Sequence, residues 1–142
     1  MIITSLALAT AAAFTGAAAY INWSEQPARL ALDDASLLKE WKFSYAKGIE
    51  MQASLAMVSG LLGLAAFYFE HRWITALGAL LMLANWPYTF LAIAPTNRQL
   101  GAMTDGGAGS RPLIQRWGKL HAGRTILGFA AMCTFLYAQI AS

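Results

Sequence analysis

The chain has 142 residues, of which 58% are hydrophobic and 12% are charged. Ordinary soluble domains carry about 25% charged residues, so this composition excludes a water-soluble globular domain and predicts a membrane protein of one domain. The net charge of +3 comes from few basic residues, which cluster between apolar runs instead of forming a basic face. Nucleic-acid binding is therefore not expected.

Four stretches of the chain are apolar enough to cross a bilayer, which takes about 20 residues of helix. They cover residues 2–21, 48–69, 73–94 and 120–140. The turn of Glu70, His71 and Arg72 is too short to lead anywhere but back into the membrane. The spacing predicts an all-α fold over residues 1–142, a four-transmembrane-helix bundle in up-down-up-down order.

Two longer connections, residues 22–47 and 95–119, lie on the same side of the membrane in this topology. In the first, Asp33 and Asp34 are typical helix N-caps. They precede residues at helical spacing, namely Leu37, Leu38, Trp41 and Tyr45. This pattern predicts a helix that either lies on the interface or extends the second span inward. In the second connection, the glycine-rich segment 104–110 is typical of a flexible loop.

The basic residues are distributed unevenly between the two sides of the membrane. Nine of the ten fall in the two long connections or at the adjoining helix starts, and Arg72 alone lies on the opposite side. The positive-inside rule then places both long connections in the cytoplasm and both termini outside. The expected location is a bacterial inner membrane.

Polar residues inside or beside a membrane cost free energy unless they are paired or functional. Glu25 and Arg29 lie four residues apart around Pro27, so on a helix they share a face and can pair. An exposed ion pair that contributes less than about 1 kcal/mol is an equally good interpretation.

A second polar group lies in the third span, in the segment Asn85-Trp86-Pro87-Tyr88-Thr89. Pro87 removes a backbone donor and clashes with the preceding turn, which predicts a kink. Asn85, Tyr88 and Thr89 are three and four residues apart and can all face the bundle interior. They either satisfy the freed backbone groups and neighbouring helices or contact a ligand.

A third group, Trp117, His121 and Arg124, presents an indole, an imidazole and a guanidinium on one helix face. Histidine gains and loses its proton near neutral pH, so His121 is a candidate for catalysis, although a packing role is the commoner one. No metal-ligand spacing links it to Glu25, Asn97 or Asp105. The sequence predicts no cofactor and leaves open a metal held through backbone or water oxygens.

Taken in order, these segments resemble the anthrone oxygenase family over nearly the whole chain. The resemblance rests on Glu25-x-Pro27-Ala28-Arg29, on Trp41-x3-Tyr45-x2-Gly48 with Gln52, on Trp86-Pro87-Tyr88-Thr89 followed by Pro95-Thr96-Asn97, and on Trp117-x3-His121-x2-Arg124. It implies a four-helix membrane protein. It also implies the oxidation of anthrones to anthraquinones by dioxygen, which fungal relatives carry out in polyketide biosynthesis.

Under this resemblance, a mechanism follows from the residue types. An anthrone that loses a methylene proton becomes an electron-rich anion, which can react with dioxygen without a metal or flavin. His121 is then the candidate general base, and Arg29 and Arg124 are candidates to stabilise the phenolate-like oxygen. Glu25, the partner of Arg29, completes the candidate catalytic set. The candidate substrate-binding residues are Trp41, Tyr45, Asn85, Tyr88, Asn97 and Trp117.

Two other interpretations use the same residues. The chain can be a non-catalytic membrane protein that binds a lipid-like or aromatic small molecule, or a subunit of a larger membrane complex. Alternatively, its aromatic and basic residues serve only as anchors at the membrane interface. The expected partners are a small apolar or aromatic substrate and the lipid bilayer, and formation of a homo-oligomer is left open.

Overall fold

The structure is a computed structural model that describes residues 1–104 and 109–141. These residues form four long helices and no strand, which confirms the all-helical class. The helices are α1 (Ile2–Leu30), α2 (Asp34–Glu70), α3 (Trp73–Ala102) and α4 (Ser110–Ile140). Most of the predicted loop at 104–110, including Asp105, lies outside the described residues.

Two of these helices are not regular along their whole length, and prolines explain where they change. In α1, a π-helical turn at Ile21–Glu25 separates α-helical Ile2–Tyr20 from Gln26–Leu30. In α3, the α-helical parts are Trp73–Leu83, Asn85–Tyr88 and Ala94–Ala102, with a π-helical turn at Thr89–Ile93. Each π-helical turn ends two residues before a proline, Pro27 or Pro95. Because proline lacks an N–H and clashes with the carbonyl four residues earlier, the regular α pattern cannot continue there.

Helix α2 begins at a well-formed N-cap. The Asp33 carboxylate accepts a hydrogen bond of 3.0 Å from the Ser36 backbone N–H, as predicted for a cap at this position, and this bond lowers the Asp33 pKa. From there α2 is continuous to Glu70, so the segment with Trp41 and Tyr45 extends the second predicted span. It ends at His71, whose positive φ of 53° allows the sharp turn into α3.

The helices pack through two apolar clusters, one toward each end. The first, near the short turn, contains small residues that let the helices approach closely. Its members are Ala7, Ala11, Phe14, Ala18, Ala56, Met82, Ala131 and Phe135. The Phe135 ring lies against Gly63 and Gly78, where an added Cβ would come within 2.7 and 2.6 Å of it. The second cluster consists of Leu37, Leu38, Trp41, Ile93, Leu100, Ile114 and Trp117.

Within the described chain, three helices are long and apolar enough to cross a membrane. They are Ile2–Leu30, Asp34–Glu70 and Trp73–Ala102. Helix α4 is not among them, although its 31 residues exceed the length that a bilayer requires. It carries the buried polar residues His121 and Arg124. The four-span topology therefore stays a prediction.

Candidate functional site

Side chains from all four helices meet around a small cavity next to the second apolar cluster, which we call the His121 cavity. It is lined by Ile21, Glu25, Arg29, Ser44, Tyr45, Gly48, Ile49, Gln52, Thr89, Ile93, Asn97, Trp117, His121 and Arg124. The volume open to the centre of a water-sized sphere is about 20 Å³, which suits about one water molecule. All four candidate catalytic residues and three of the six candidate binding residues line it.

Both π-helical turns contribute to this cavity. Ile21 and Glu25 come from the turn in α1, and Thr89 and Ile93 come from the turn in α3. Such turns widen a helix locally and change the direction of the side chains that follow, which is why they are frequent at functional sites. The prolines that follow these turns thus shape the site without lining it.

The His121 ring is only 2% exposed, and Asn22 on α1 sets its orientation. The Asn22 side-chain NH₂ donates to the carbonyl of Gly118 at 2.9 Å, which leaves Asn22 Oδ1 as an acceptor facing α4. His121 Nδ1 lies 2.9 Å from this oxygen, and Thr125 Oγ1 donates to it from 2.8 Å. Because Oδ1 can only accept, Nδ1 carries the hydrogen and Nε2 is the basic nitrogen of the neutral ring.

Arg124 is 5% exposed and, within residues 1–104 and 109–141, has neither an acidic partner nor a hydrogen-bond acceptor. Its guanidinium carbon lies 5.5 Å from the centre of the Phe14 ring. A buried charge without a counter-ion is costly, because the solvation it loses is not replaced. This arrangement favours an anionic ligand at Arg124.

Arg29 is also buried, but its charge is already balanced. It pairs with Glu25, as expected from their spacing, and its Nε lies 2.8 Å from Glu40 Oε2. Its terminal nitrogen also donates to Ser44 Oγ at 2.9 Å. The same guanidinium lies 5.3 Å from the centre of the Trp117 ring. Arg29 therefore holds α1 and α2 together in front of the cavity and is less available to an anion than Arg124.

A continuous row of aromatic rings supports His121. The Tyr45 ring stacks on Trp41 at 4.9 Å between ring centres, and Trp41 meets Trp117 edge-on at 5.9 Å. Trp117 in turn stacks on the His121 imidazole at 4.9 Å. This stacking, together with the contact between Nδ1 and Asn22, limits rotation of the imidazole. Trp41 does not line the cavity itself and acts through its neighbours.

The remaining predicted binding residues fall in different places. Asn97 donates to the Tyr45 hydroxyl oxygen at 2.9 Å, so the Tyr45 hydrogen is free to donate to a ligand. Tyr88 instead donates to the carbonyl of Leu120 at 2.7 Å, and it joins α3 to α4 outside the lining of the cavity. Asn85 lines the second cavity described next.

A second cavity, which we call the side cavity, lies between α2 and α3. Its lining is Tyr45, Ile49, Ala53, Ala56, Asn85, Trp86, Thr89, Phe90, Ala94, Asn97 and Arg124. The volume open to the centre of a water-sized sphere is about 180 Å³, several times that of the His121 cavity. The two cavities share Tyr45, Ile49, Thr89, Asn97 and Arg124, so they adjoin at the unpaired guanidinium.

Several buried polar atoms around the two cavities have no hydrogen-bond partner in the described part of the chain. They are both amide atoms of Gln52, Asn85 Oδ1, Trp86 Nε1, Thr89 Oγ1 and Asn97 Oδ1. A buried donor or acceptor left unpaired costs about 1–3 kcal/mol, so these atoms favour a ligand with oxygen substituents. The described residues form no group of three or more His, Cys, Asp or Glu that could hold a metal ion.

Comparisons with known proteins agree with the resemblance noted in the sequence. The family model described as "Anthrone oxygenase" matches residues 41–134. An anthrone oxygenase from Claviceps purpurea (strain 20.1) is 32% identical over 114 residues. The match covers 69% of this chain and 64% of that protein, which is less than two thirds of its length. No solved structure matches the chain.

Proposed function

Since the chain belongs to the anthrone oxygenase family, we propose that it is a membrane-embedded oxygenase-like enzyme that oxidises an aromatic or polyketide-like carbon acid with dioxygen. The observation that carries the proposal is the arrangement of His121 and Arg124. Both side chains are buried and line one cavity, and among the described residues neither the His121 Nε2 nor the Arg124 guanidinium has a hydrogen-bond or acidic partner. A base and an anion-binding group are thus side by side.

The membrane arrangement belongs to the same proposal. Helices α1 to α3 are long and apolar enough to span a bilayer, and α4, which packs against α1 and α3, is the fourth span of an up-down-up-down bundle. The excess of basic residues in the two long connections places the His121 end at the cytoplasmic face of a bacterial inner membrane. The substrate then meets the site close to this face.

The reaction begins with proton transfer from carbon to nitrogen. His121 Nε2 takes one proton from a methylene group made acidic by a ketone that is conjugated with it through the aromatic rings. The electron pair left behind is delocalised onto the substrate oxygen, and this oxygen binds Arg124. A buried, preorganised guanidinium stabilises the negative charge more than water does. Tyr45 can donate a further hydrogen bond to the same oxygen.

Dioxygen then oxidises the anion. A bond forms between the carbanion carbon and one oxygen atom, the O–O unit is reduced to a peroxide, and the peroxide takes the proton held by His121. Loss of the second methylene proton and cleavage of the O–O bond give the new carbonyl and one water. One methylene group and one dioxygen molecule are consumed for each ketone and water formed. His121 ends the cycle in its starting form.

The other members of the site position these groups. The Glu25 and Arg29 pair fixes the end of α1 that carries Asn22, and Trp41 and Trp117 support the imidazole. The ring body of the substrate lies beside Asn85 and Asn97, whose free oxygens can accept from its hydroxyl groups. A non-catalytic protein that binds an aromatic molecule would have the same lining, so turnover separates the two functions.

The test is dioxygen uptake by the protein in lipid nanodiscs with anthrone as substrate, corrected for oxidation in buffer. We expect one anthraquinone per dioxygen. Replacing Arg124→Gln removes the charge that binds the developing oxyanion, and we expect kcat/KM to fall by about 10²–10³. Arg116→Gln on the same helix is the matched control, because Arg116 is exposed. Uptake by the wild-type protein at the buffer rate would remove anthrone as a substrate and favour a binding role.

A further inference from the structure

The side cavity indicates how a substrate reaches the buried base. We infer that a planar apolar substrate enters sideways from the lipid bilayer, through the gap between α2 and α3, and that its ring body is held in the side cavity during the reaction. This inference rests on the proposed function for the location of the chain in a membrane. It goes further because it assigns the opening through which the substrate enters and the residues that limit the size of the substrate.

The relative sizes of the two cavities indicate which part of the substrate each of them holds. The His121 cavity has room for about one water molecule, so only one edge of a fused-ring molecule reaches the imidazole. The side cavity is several times larger and adjoins it at Arg124. A substrate whose charged oxygen binds Arg124 therefore has its rings in the side cavity.

The walls of the side cavity suit an apolar aromatic body. On α2 they include Ile49, Ala53 and Ala56, and the short side chains of the two alanines leave room for a flat ring. On α3 the opposite wall contains the rings of Trp86 and Phe90. Flat rings pack well against other flat rings and against small aliphatic side chains. Mostly apolar pockets with a few polar groups are typical of small-molecule sites.

The mouth of the side cavity lies on the lipid-facing side of the molecule. Phe90 is 63% exposed, and it lines the cavity as well. Both walls belong to helices that are apolar enough to span a membrane. Ala53 lies six residues from Lys47, the last basic residue of α2, which is about 9 Å along the helix axis. The opening is thus within the apolar layer but near the headgroups, where an amphipathic aromatic molecule concentrates.

The inner end of the side cavity supplies the polar groups that fix the orientation of the bound substrate. Asn85 is 1% exposed, and its Oδ1 has no hydrogen-bond partner in the described residues. The buried atoms Trp86 Nε1 and Thr89 Oγ1 are likewise unpaired there. One acceptor and two donors on one wall match ring hydroxyl and carbonyl groups. A hydrocarbon without oxygen substituents would leave these atoms unpaired.

Binding is tested separately from turnover, with tritiated anthraquinone as the probe and the protein in nanodiscs. Ala53→Phe fills the side cavity, and we expect it to raise the Kd by at least about tenfold. Val58→Phe on the same helix is the matched control, because Val58 is 46% exposed and lines neither cavity. We expect its Kd to stay within about twofold of wild type.

The entrance is tested by kinetics at the mouth. Phe90→Trp narrows the opening, so we expect kcat/KM for anthrone to fall by about fivefold or more. Leu91→Trp is the control, because Leu91 is 80% exposed and does not line the cavity. Phe90 lies at the surface, so this variant provides the test if Ala53→Phe does not fold.

The outcomes separate this inference from the proposed function. Wild-type turnover with no effect of Ala53→Phe on Kd, or of Phe90→Trp on kcat/KM, would overturn the side entrance and leave the oxygenase proposal standing. Absence of wild-type turnover with anthraquinone binding that Ala53→Phe abolishes would overturn the oxygenase proposal and support the side cavity as a ligand site. Equal effects of Val58→Phe and Ala53→Phe would also overturn the inference.

Discussion

Replacing Asn22 with leucine tests whether the neighbouring helix controls the catalytic form of His121. Leucine has a similar size but accepts no hydrogen bond, so His121 Nδ1 loses the partner that lies 2.9 Å away. Such a bond stabilises the Nδ1–H form of the ring by about 0.5–1.5 kcal/mol, and the variant loses this stabilisation. Because about 1.4 kcal/mol is a factor of ten, the ratio of the Nδ1–H form, with its basic Nε2, to the Nε2–H form falls about two- to tenfold. We expect kcat/KM to fall by up to the same factor.

The assay combines kinetics with the NMR spectrum of ¹⁵N-labelled histidine, which distinguishes the two neutral ring forms. Asn22→Asp is the matched variant, because its carboxylate still accepts from Nδ1 although it loses the donor to Gly118. We expect it to keep the Nδ1–H form and most of the activity. If Asn22→Leu retains full kcat/KM, or if its His121 still carries the hydrogen on Nδ1, the assigned role of Asn22 is wrong.

Two further predictions concern packing and the buried charge. A Cβ at Gly123 would overlap the Tyr88 hydroxyl, so Gly123→Ala should lower the free energy of unfolding by about 1–3 kcal/mol, whereas Gly101→Ala, with no atom within 4 Å, should not. Glu40→Gln removes one of the two carboxylates beside the buried guanidinium of Arg29. Because Glu40 is partly exposed, we expect the free energy of unfolding to fall by only about 1 kcal/mol. Exposed Glu50→Gln is its control. Unfolding in lipid micelles with added denaturant measures all four, and equal changes in a variant and its control would contradict that prediction.

The sequence was sufficient for the helical class and for the family, because both depend on patterns along the chain. Long apolar runs predict helices whatever packs against them, and ordered short segments around His121 and Arg124 indicate the family. The spacing of Trp117, His121 and Arg124 on one helix face was also sufficient to place them together. The structure adds that Arg124 has no counter-ion in the described residues, whereas Arg29 has two.

What the sequence did not indicate depends on contacts between distant helices. Asn22 and His121 are 99 residues apart, and no local sequence pattern indicates that their side chains form a hydrogen bond. The spacing between Arg29 and Glu40 in the sequence does not indicate an ion pair, because Glu40 lies on α2 and meets Arg29 only when α1 and α2 pack together. Gln52 was part of the family resemblance but was given no role, and its amide is now seen to be buried and unpaired in the described chain. Tyr88 donates a hydrogen bond to the carbonyl of Leu120 on α4, which its position in the sequence did not indicate, and its contact with a substrate stays a prediction.

The prolines are the one local signal from which more could have been inferred. Pro27 and Pro95 each follow a π-helical turn that contributes lining residues to the His121 cavity. A proline within a long apolar helix indicates that regular hydrogen bonding is interrupted about one turn earlier. The turn before Pro27 contains Asn22, so this signal indicates Asn22 as a candidate site residue, whereas Thr89 before Pro95 is already a candidate from its spacing.

The central claim is that His121 is the base for oxidation by dioxygen. The most direct measurement is dioxygen uptake with anthrone by wild-type protein, by His121→Gln and by His71→Gln, all in nanodiscs and corrected for oxidation in buffer. His71 is exposed at the opposite end of the molecule and is the matched control. We predict that His121→Gln loses about 10²–10⁴-fold in kcat while His71→Gln keeps the wild-type rate. Equal rates for wild type and His121→Gln would contradict the account.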